Sequence, residues 1–301
     1  MVIKKAYAKI NLALDVLYKR CDGYHEVKMV MQSIDLYDTV TLTKKKQGIE
    51  LVTDRKELPV GASNLAYQAA QLFQETYSIS TGVSMILHKK IPMSAGLAGG
   101  SADAAAVLKG MNELFELHLS LAELSKLGAQ LGSDVPFCLA GGTQLATGRG
   151  EQLVELPALP SCYVVLAKPA MDVSTAWVYG HYEPRNVMSH PDIPSLVAAL
   201  EKQDLSGVIA CCGNVLEAVT FSAHPSLVQL KEKMAGFGML TSLMSGSGPT
   251  IFALTSTQET AQALKALLEN EAALFVDVTK TVTREKNEYG ETFIANKTRQ
   301  L

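Results

Sequence analysis

No C-x-x-C pair occurs among the five cysteines, at positions 21, 138, 162, 211 and 212. Their odd number and irregular spacing argue against both a zinc site and a closed disulfide framework, and a reducing cytoplasm is the expected compartment. The six histidines likewise lack metal-ligand spacing. No uninterrupted apolar run reaches bilayer-spanning length, which argues against a membrane protein. The amino terminus, where Lys4, Lys5 and Lys9 interrupt an apolar alternation, lacks the continuous apolar segment of a secretory signal. Neither sign of charge is in large surplus. A net charge of -3 and a pI near 6.1 leave no basic footprint for nucleic acid. The single basic triplet, Lys44, Lys45 and Lys46, reads as a solvated strand end or turn. Internal repeats and low-complexity tracts are also missing.

What remains is a chain of 301 residues, 48% hydrophobic and 19% charged, which is enough for two ordinary cores. From Tyr7 to Val16 the residues alternate, with Ala8, Ile10, Leu12, Leu14 and Val16 facing a core while Lys9 and Asn11 share the opposite surface. Asp22-Gly23 is a turn signal that puts Tyr24 and His25 at the start of the next strand. Strands are expected at 27–43, 49–53 and 83–87, and helices at 64–76 and from Ser101 onward. Ser120 and Glu123 form a capping-box pair ahead of a helix that Gly132 terminates, and Pro136–Leu139 reads as a strand. Pro157 and Pro160 bracket a linker. Beyond it, strands at 162–167, 239–244 and 250–254 mix with helices near 195–202, 206–219, 225–234 and 258–269. The order predicts an α+β protein with an amino-terminal domain at 1–157, a second at 158–283 and a loosely held tail at 284–301.

The strongest local signal for chemistry is the loop Pro92-Met93-Ser94-Ala95-Gly96-Leu97-Ala98-Gly99-Gly100-Ser101, set between a predicted strand and a predicted helix. Glycine lets backbone N–H groups approach phosphate oxygens, and the positive end of the following helix favours the anion. The loop has neither the Gly-Lys-Ser/Thr ending of a Walker A motif nor the dinucleotide G-x-G-x-x-G spacing. Taken alone it is as often a plain turn as a phosphate cradle.

Pro-x-x-x-Gly-Leu followed by small residues and Ser resembles the nucleotide loop of the galactokinase, homoserine kinase, mevalonate kinase and phosphomevalonate kinase superfamily. Ala8-Lys9-Ile10-Asn11-Leu12 is similar to that superfamily's amino-terminal motif, and Ser245-Gly246-Ser247-Gly248-Pro249-Thr250 to its carboxy-terminal glycine motif. Three such motifs in the right order are far more specific than one. Within the superfamily the diphosphocytidyl methylerythritol kinases are most similar, through Asp22-Gly23-Tyr24-His25-Glu26, Gly132-Ser133-Asp134-Val135-Pro136-Phe137 and Gly148-Arg149-Gly150-Glu151. The resemblance implies an amino-terminal domain like the second domain of ribosomal protein S5 and a ferredoxin-like carboxy-terminal domain. It also implies ATP as co-substrate, with Mg2+ expected from the chemistry of ATP itself, and phosphorylation of the 2-hydroxyl of a diphosphocytidyl methylerythritol.

Carried over residue by residue, the resemblance makes Asp134 the catalytic carboxylate and Lys9 its partner. A carboxylate can accept the hydroxyl proton while an ammonium stabilises charge on the transferred phosphoryl group. Isolated, each residue would more simply be a turn aspartate and a strand lysine on a solvated face. Tyr24 and His25 would recognise cytosine, with Tyr179 as a second aromatic from the other domain and Trp177 as its substitute. Asn11 would hold substrate hydroxyls or diphosphate, or alternatively cap backbone. Ser245, Gly246, Ser247 and Gly248 would approach the substrate through backbone amides. The chain departs from the family in following Ser101 with Ala102, one hydroxyl fewer, and no acidic residue is assignable to the metal. A sister kinase acting on another small alcohol, and a non-catalytic nucleotide- or RNA-binding protein keeping the fold alone, are the alternatives. Either a monomer or a homodimer fits.

Overall fold

Two long antiparallel strands, β1 (Val2–Lys19) and β2 (His25–Lys45), form the spine of the amino-terminal half. The computed structural model describes residues 1–271 and 274–283. The expected tail at 284–301 therefore lies outside the described residues. The apolar alternation of β1 does what its period dictates: Ala8, Ile10 and Leu12 are buried in the core. Its other face is not solvated as expected. Lys9 is 4% exposed and Asn11 0%, because loops from both halves of the chain close over them.

β3 (Ile49–Thr53), α1 (Leu65–Thr76) and β4 (Gly82–His88) follow, then α2 (Gly99–Leu114), α3 (Leu121–Leu131), α4 (Val135–Ala140), β5 (Thr143–Thr147) and β6 (Gln152–Glu155). The sheet they build has seven strands with the path β3-β4-β2-β1-β8, β5 pairing with β2 and β6 with β5. Its β8 (Gly213–Asn214) comes from far along the chain and runs parallel to β1. α2 packs across β1 and β2 and is itself covered by α1, α3 and α4. The capping box of Ser120 and Glu123 is in place at α3. Residues 136–139, expected as a strand, are helical in α4. Pro136 occupies the first turn, where its missing N–H leaves no hydrogen bond unmade.

The carboxy-terminal half contributes β7 (Tyr163–Pro169), α5 (Thr175–Gly180), α6 (Ile193–Glu201), α7 (Leu205–Ala210), α8 (Glu217–Ala223), α9 (Pro225–Ala235), β9 (Thr241–Met244), β10 (Ile251–Thr255), α10 (Gln258–Leu268) and β11 (Leu274–Lys280). Its four strands are antiparallel in the order β11-β7-β10-β9, the ferredoxin-like arrangement in which the first strand lies between the fourth and the third. The single helix expected over 206–219 is instead α7, β8 and α8 in succession. Asp204 caps α7, and the chain then extends to pair with β1. The strands β5, β6 and β11 and the short α5 carried no sequence expectation.

The halves are joined by more than their linker. Leu159, Val164, Leu166, Leu196 and Phe252 belong to the same buried cluster as Ile10, Leu42 and Leu108. Gln32 Nε2 donates to Val282 O at 2.9 Å, and Val282 N donates to Ser33 O at 2.9 Å. Among the described residues no helix is long and apolar enough to cross a membrane.

Candidate active site

The loop between β4 and α2 is held in an unusual backbone state. Gly96 has φ +71° and Ala98 φ +59°, and Ala98 serves as the N-cap of α2 without a side-chain hydrogen bond to it. The helix therefore starts at Gly99 rather than Ser101, and its first-turn N–H groups have no side-chain cap, which is the geometry that accepts an anion. The loop residues from Pro92 to Ser101 line a cavity of about 960 Å³, except Leu97, which turns into the core. Ala102 also packs into the core, so its missing hydroxyl takes nothing from the cavity wall.

Two register irregularities in the β1–β2 pairing, one between Tyr7 and Lys9 and the other between Asn11 and Ala13, bracket the segment that bears Lys9 and Asn11. Such breaks re-aim side chains. Lys9 Nζ donates to Asn11 Oδ1 at 2.7 Å and to Gly96 O at 3.0 Å, and it stands 3.9 Å from Asp134 Oδ2. Asp134 is the N-cap of α4 but makes no capping bond, and its side chain is 33% exposed on the cavity. An ammonium and a carboxylate that makes no capping bond thus face one space beside the α2 N-terminus.

The glycine turn after β9 closes that space from the other half of the molecule. Ser245 Oγ donates to Gly96 O at 2.9 Å, and a Cβ on Gly96 would lie 2.1 Å from Ser245 O, so the two backbones touch. Gly246 is at φ +58°, and a Cβ there would come within 3.3 Å of Lys9 Nζ. Asn214 holds the turn in place, Nδ2 donating to Met244 O at 2.8 Å and Gly246 O at 2.7 Å, while Thr220 Oγ1 donates to Ser247 O at 3.2 Å. Gly246 and Ser247 line the cavity; Ser245 and Gly248 are buried behind it.

Tyr24, His25 and Tyr179 line the same cavity. The His25 and Tyr179 rings lie 5.4 Å apart, tilted 32°, and Tyr182 approaches His25 edge-on at 6.3 Å. Tyr24 is 54% exposed at the rim. Burial, aided by the Lys19 ammonium, holds the His25 pKa below its ordinary value. Burial first, then the Asp134 carboxylate, pushes the Tyr179 phenol up. Trp177 stacks on His181 and does not line the cavity.

Sequence reasoning missed several lining residues. Lys89 Nζ is buried between Asp38 and Asp103, donating to Asp103 Oδ2 at 2.6 Å. Burial and the neighbouring Asp38 push the Asp103 carboxyl up to about 8 against the pull of Lys89. Asn64 caps α1 through Oδ1 and ties down Pro59 O through Nδ2, shaping the wall near Leu65. Arg149 reaches the cavity from the β5–β6 turn. Nothing in local spacing marks any of these, although the Gly148-Arg149-Gly150-Glu151 match did point at the turn. No group of three His, Cys, Asp or Glu side chains able to hold a metal ion occurs among the described residues.

The fold and this site define a class, the GHMP kinases. Residues 64–142 match the GHMP kinases N terminal domain and residues 196–273 the GHMP kinases C terminal. A homoserine kinase from Cytophaga hutchinsonii shares the fold with a TM-score of 0.70 at 24% identity, covering 92% of this chain and 95% of that one. A crystal structure of 4-(cytidine 5'-diphospho)-2C-methyl-D-erythritol kinase superposes with a TM-score of 0.78 at 32% identity, covering 92% of this chain and 99% of that one. The 4-diphosphocytidyl-2-C-methyl-D-erythritol kinase of Geobacillus kaustophilus is 54% identical over 252 residues, 83% of this chain and 87% of its own length. That of Bacillus cytotoxicus is 51% identical over 254 residues, 84% of this chain and 88% of its own. The chain belongs to the 4-diphosphocytidyl-2-C-methyl-D-erythritol kinase family.

Proposed function

We propose that the chain transfers the γ-phosphoryl group of ATP to the 2-hydroxyl of 4-diphosphocytidyl-2-C-methyl-D-erythritol, in isoprenoid precursor synthesis. The observation that carries this reading is the Lys9–Asp134 pair, 3.9 Å apart, facing the uncapped α2 N-terminus on a cavity that the His25–Tyr179 ring pair also lines. In this reading the amides of Gly99, Gly100 and Ser101 hold the ATP phosphates. Asp134 receives the hydroxyl proton as the oxygen attacks, and Lys9 offsets charge on the phosphoryl oxygens. Because the transition state for such transfer is loose, alignment of the two reactants contributes more than the strength of the base. Asn11, fixed by its bond to Lys9 Nζ, and the backbone at Gly246 and Ser247 orient the substrate alcohol. Tyr24 and Tyr179 bound the cytosine ring and His25 bonds its polar edge.

The Ser101 hydroxyl and the Asp134 carboxylate are among the side-chain oxygens that line the cavity. They suit a hard cation such as Mg2+ held chiefly by the nucleotide's own phosphates, where it would neutralise phosphate charge. The direct test is turnover of ATP with 4-diphosphocytidyl-2-C-methyl-D-erythritol followed by phosphorus NMR, with a new monoester resonance beside an intact diphosphate as the expected result. Phosphorylation of mevalonate or homoserine, with none of the cytidyl substrate, would move the chain to a sister activity.

A further inference from the structure

One short stretch of chain grips the glycine turn after β9 through three side chains. Asn214 Nδ2 donates to Met244 O and Gly246 O, Glu217 Oε1 accepts from Met244 N at 2.8 Å, and Thr220 Oγ1 donates to Ser247 O. Glu217 and Thr220 stand three residues apart on α8 and so share a face. Lys231 Nζ on α9 holds the Glu217 carboxylate by donating to Oε2 at 2.5 Å. The stretch is in turn fastened to β1, the strand that bears Lys9. Asn214 pairs with Leu14, Val215 N donates to Leu14 O at 3.0 Å, and Leu216 N donates to Asn214 Oδ1 at 3.0 Å, which fixes which end of the amide meets the turn. Turn and lysine are therefore referenced to the same strand.

These bonds occupy the carbonyls of Met244, Gly246 and Ser247, while Gly248 N closes the turn on Ser245 O at 3.0 Å. The N–H groups of Gly246 and Ser247, the two turn residues that line the cavity, donate to no group among the described residues. Asn214, Glu217 and Thr220 do not line the cavity. Thr220 and Asn214 are buried, so deleting either donor leaves a turn carbonyl without its partner. A displaced turn would also reach the ammonium, because Gly96 O accepts from both Ser245 Oγ and Lys9 Nζ.

We infer that Asn214, Glu217 and Thr220 are positioning residues, which hold the turn at a fixed place beside Lys9 and so set the alignment of the acceptor alcohol with the transferred phosphoryl group. The inference rests on the reading above that this turn orients the alcohol. Steady-state kinetics of the full chain with ATP and 4-diphosphocytidyl-2-C-methyl-D-erythritol tests it, using T220V, T220S, N214D, G246A and A261G, each with its urea midpoint. T220V keeps the shape of threonine and removes the donor. Its kcat is expected to fall about tenfold with the KM for ATP unchanged, since misplacement by a change remote from the chemistry can cost up to about 10²-fold. T220S restores the hydroxyl and should recover most of the rate. N214D removes both donations and should lose more than T220V; if it fails to fold, the Thr220 pair decides. A261G loosens α10, which packs on β7 and β11, and should keep its kcat whatever its midpoint. A T220V protein with wild-type kcat overturns the inference, as does a loss that T220S does not repair or that A261G matches. Wild-type kcat in G246A would overturn the role of the turn itself. A wild type that phosphorylates only another small alcohol overturns the cytidyl reading alone, and the same comparison is then read on that alcohol.

Discussion

Asp134 occupies an N-cap position that would ordinarily be spent on the helix, and its freedom from that duty leaves it open to the proton-accepting role proposed for it. Asp134→Asn keeps the shape and removes the proton acceptor, so kcat should fall by about 10²–10⁴-fold while ATP and CDP affinities measured by calorimetry stay near wild type. A variant with full turnover would take Asp134 out of the mechanism. His25 makes a second residue-level prediction. Its pKa lies below the ordinary 6.5 because burial disfavours the charged ring, so the imidazole is neutral at pH 7 and takes a proton only in more acid solution. A neutral ring nitrogen can accept a hydrogen bond from the cytosine amino group, and the imidazolium cannot. The KM for the cytidyl substrate should therefore be flat above pH 6.5 and rise as the pH falls below it, and H25A should show a high KM without that acid limb.

At the scale of the element, α2 is the part on which the site depends. Its open N-terminus is aimed by the left-handed residues before it and anchored at its fifth residue, where Asp103 meets Lys89 and, through it, Asp38 on β2. Asp38 Oδ1 also accepts from Lys90 N at 2.5 Å and Ile91 N at 2.9 Å, tying the strand to the start of the phosphate loop. Lys89→Met takes the cation away from the buried Asp38 and Asp103 carboxyl groups, and losing one partner of a buried pair costs about 3–5 kcal/mol. Urea unfolding should show that loss. A wild-type midpoint would mean that these groups find other partners. The capping box of α3 and the strand period of β1 were legible because they act between neighbours in sequence. The helical state of 135–140 was not, because the apolar run Val135–Ala140 is too short for periodicity to separate strand from helix.

Across the whole molecule, one buried cluster runs from β1 and α2 into β7, β10 and α6, and the catalytic space is walled by loops from both halves. Neither half can leave without exposing that cluster and the Lys9–Asn11 face. Calorimetric unfolding of the chain should accordingly be a single transition with matching van't Hoff and calorimetric enthalpies. Two resolved transitions would show that the shared core contributes little to the coupling. A saturating non-hydrolysable ATP analogue should leave CDP binding intact if, as proposed, the α2 N-terminus takes ATP and the Tyr24, His25 and Tyr179 region takes the cytidyl group. Competition between them would contradict that layout.

The order of motifs, the period of the long strands, the helix caps and the glycine positions were all determined by the sequence alone, since each is a relation between residues a few places apart. The closeness of Lys9, Gly96, Asp134 and Gly246 was decided by tertiary structure, through β8 pairing with β1 and the backbone contact of Gly96 with Ser245. So were the burial of the Lys9 face and the placement of Lys89, Asp103 and Arg149 on the cavity. No local pattern encodes those, because a contact between distant segments exists only after the chain between them has folded.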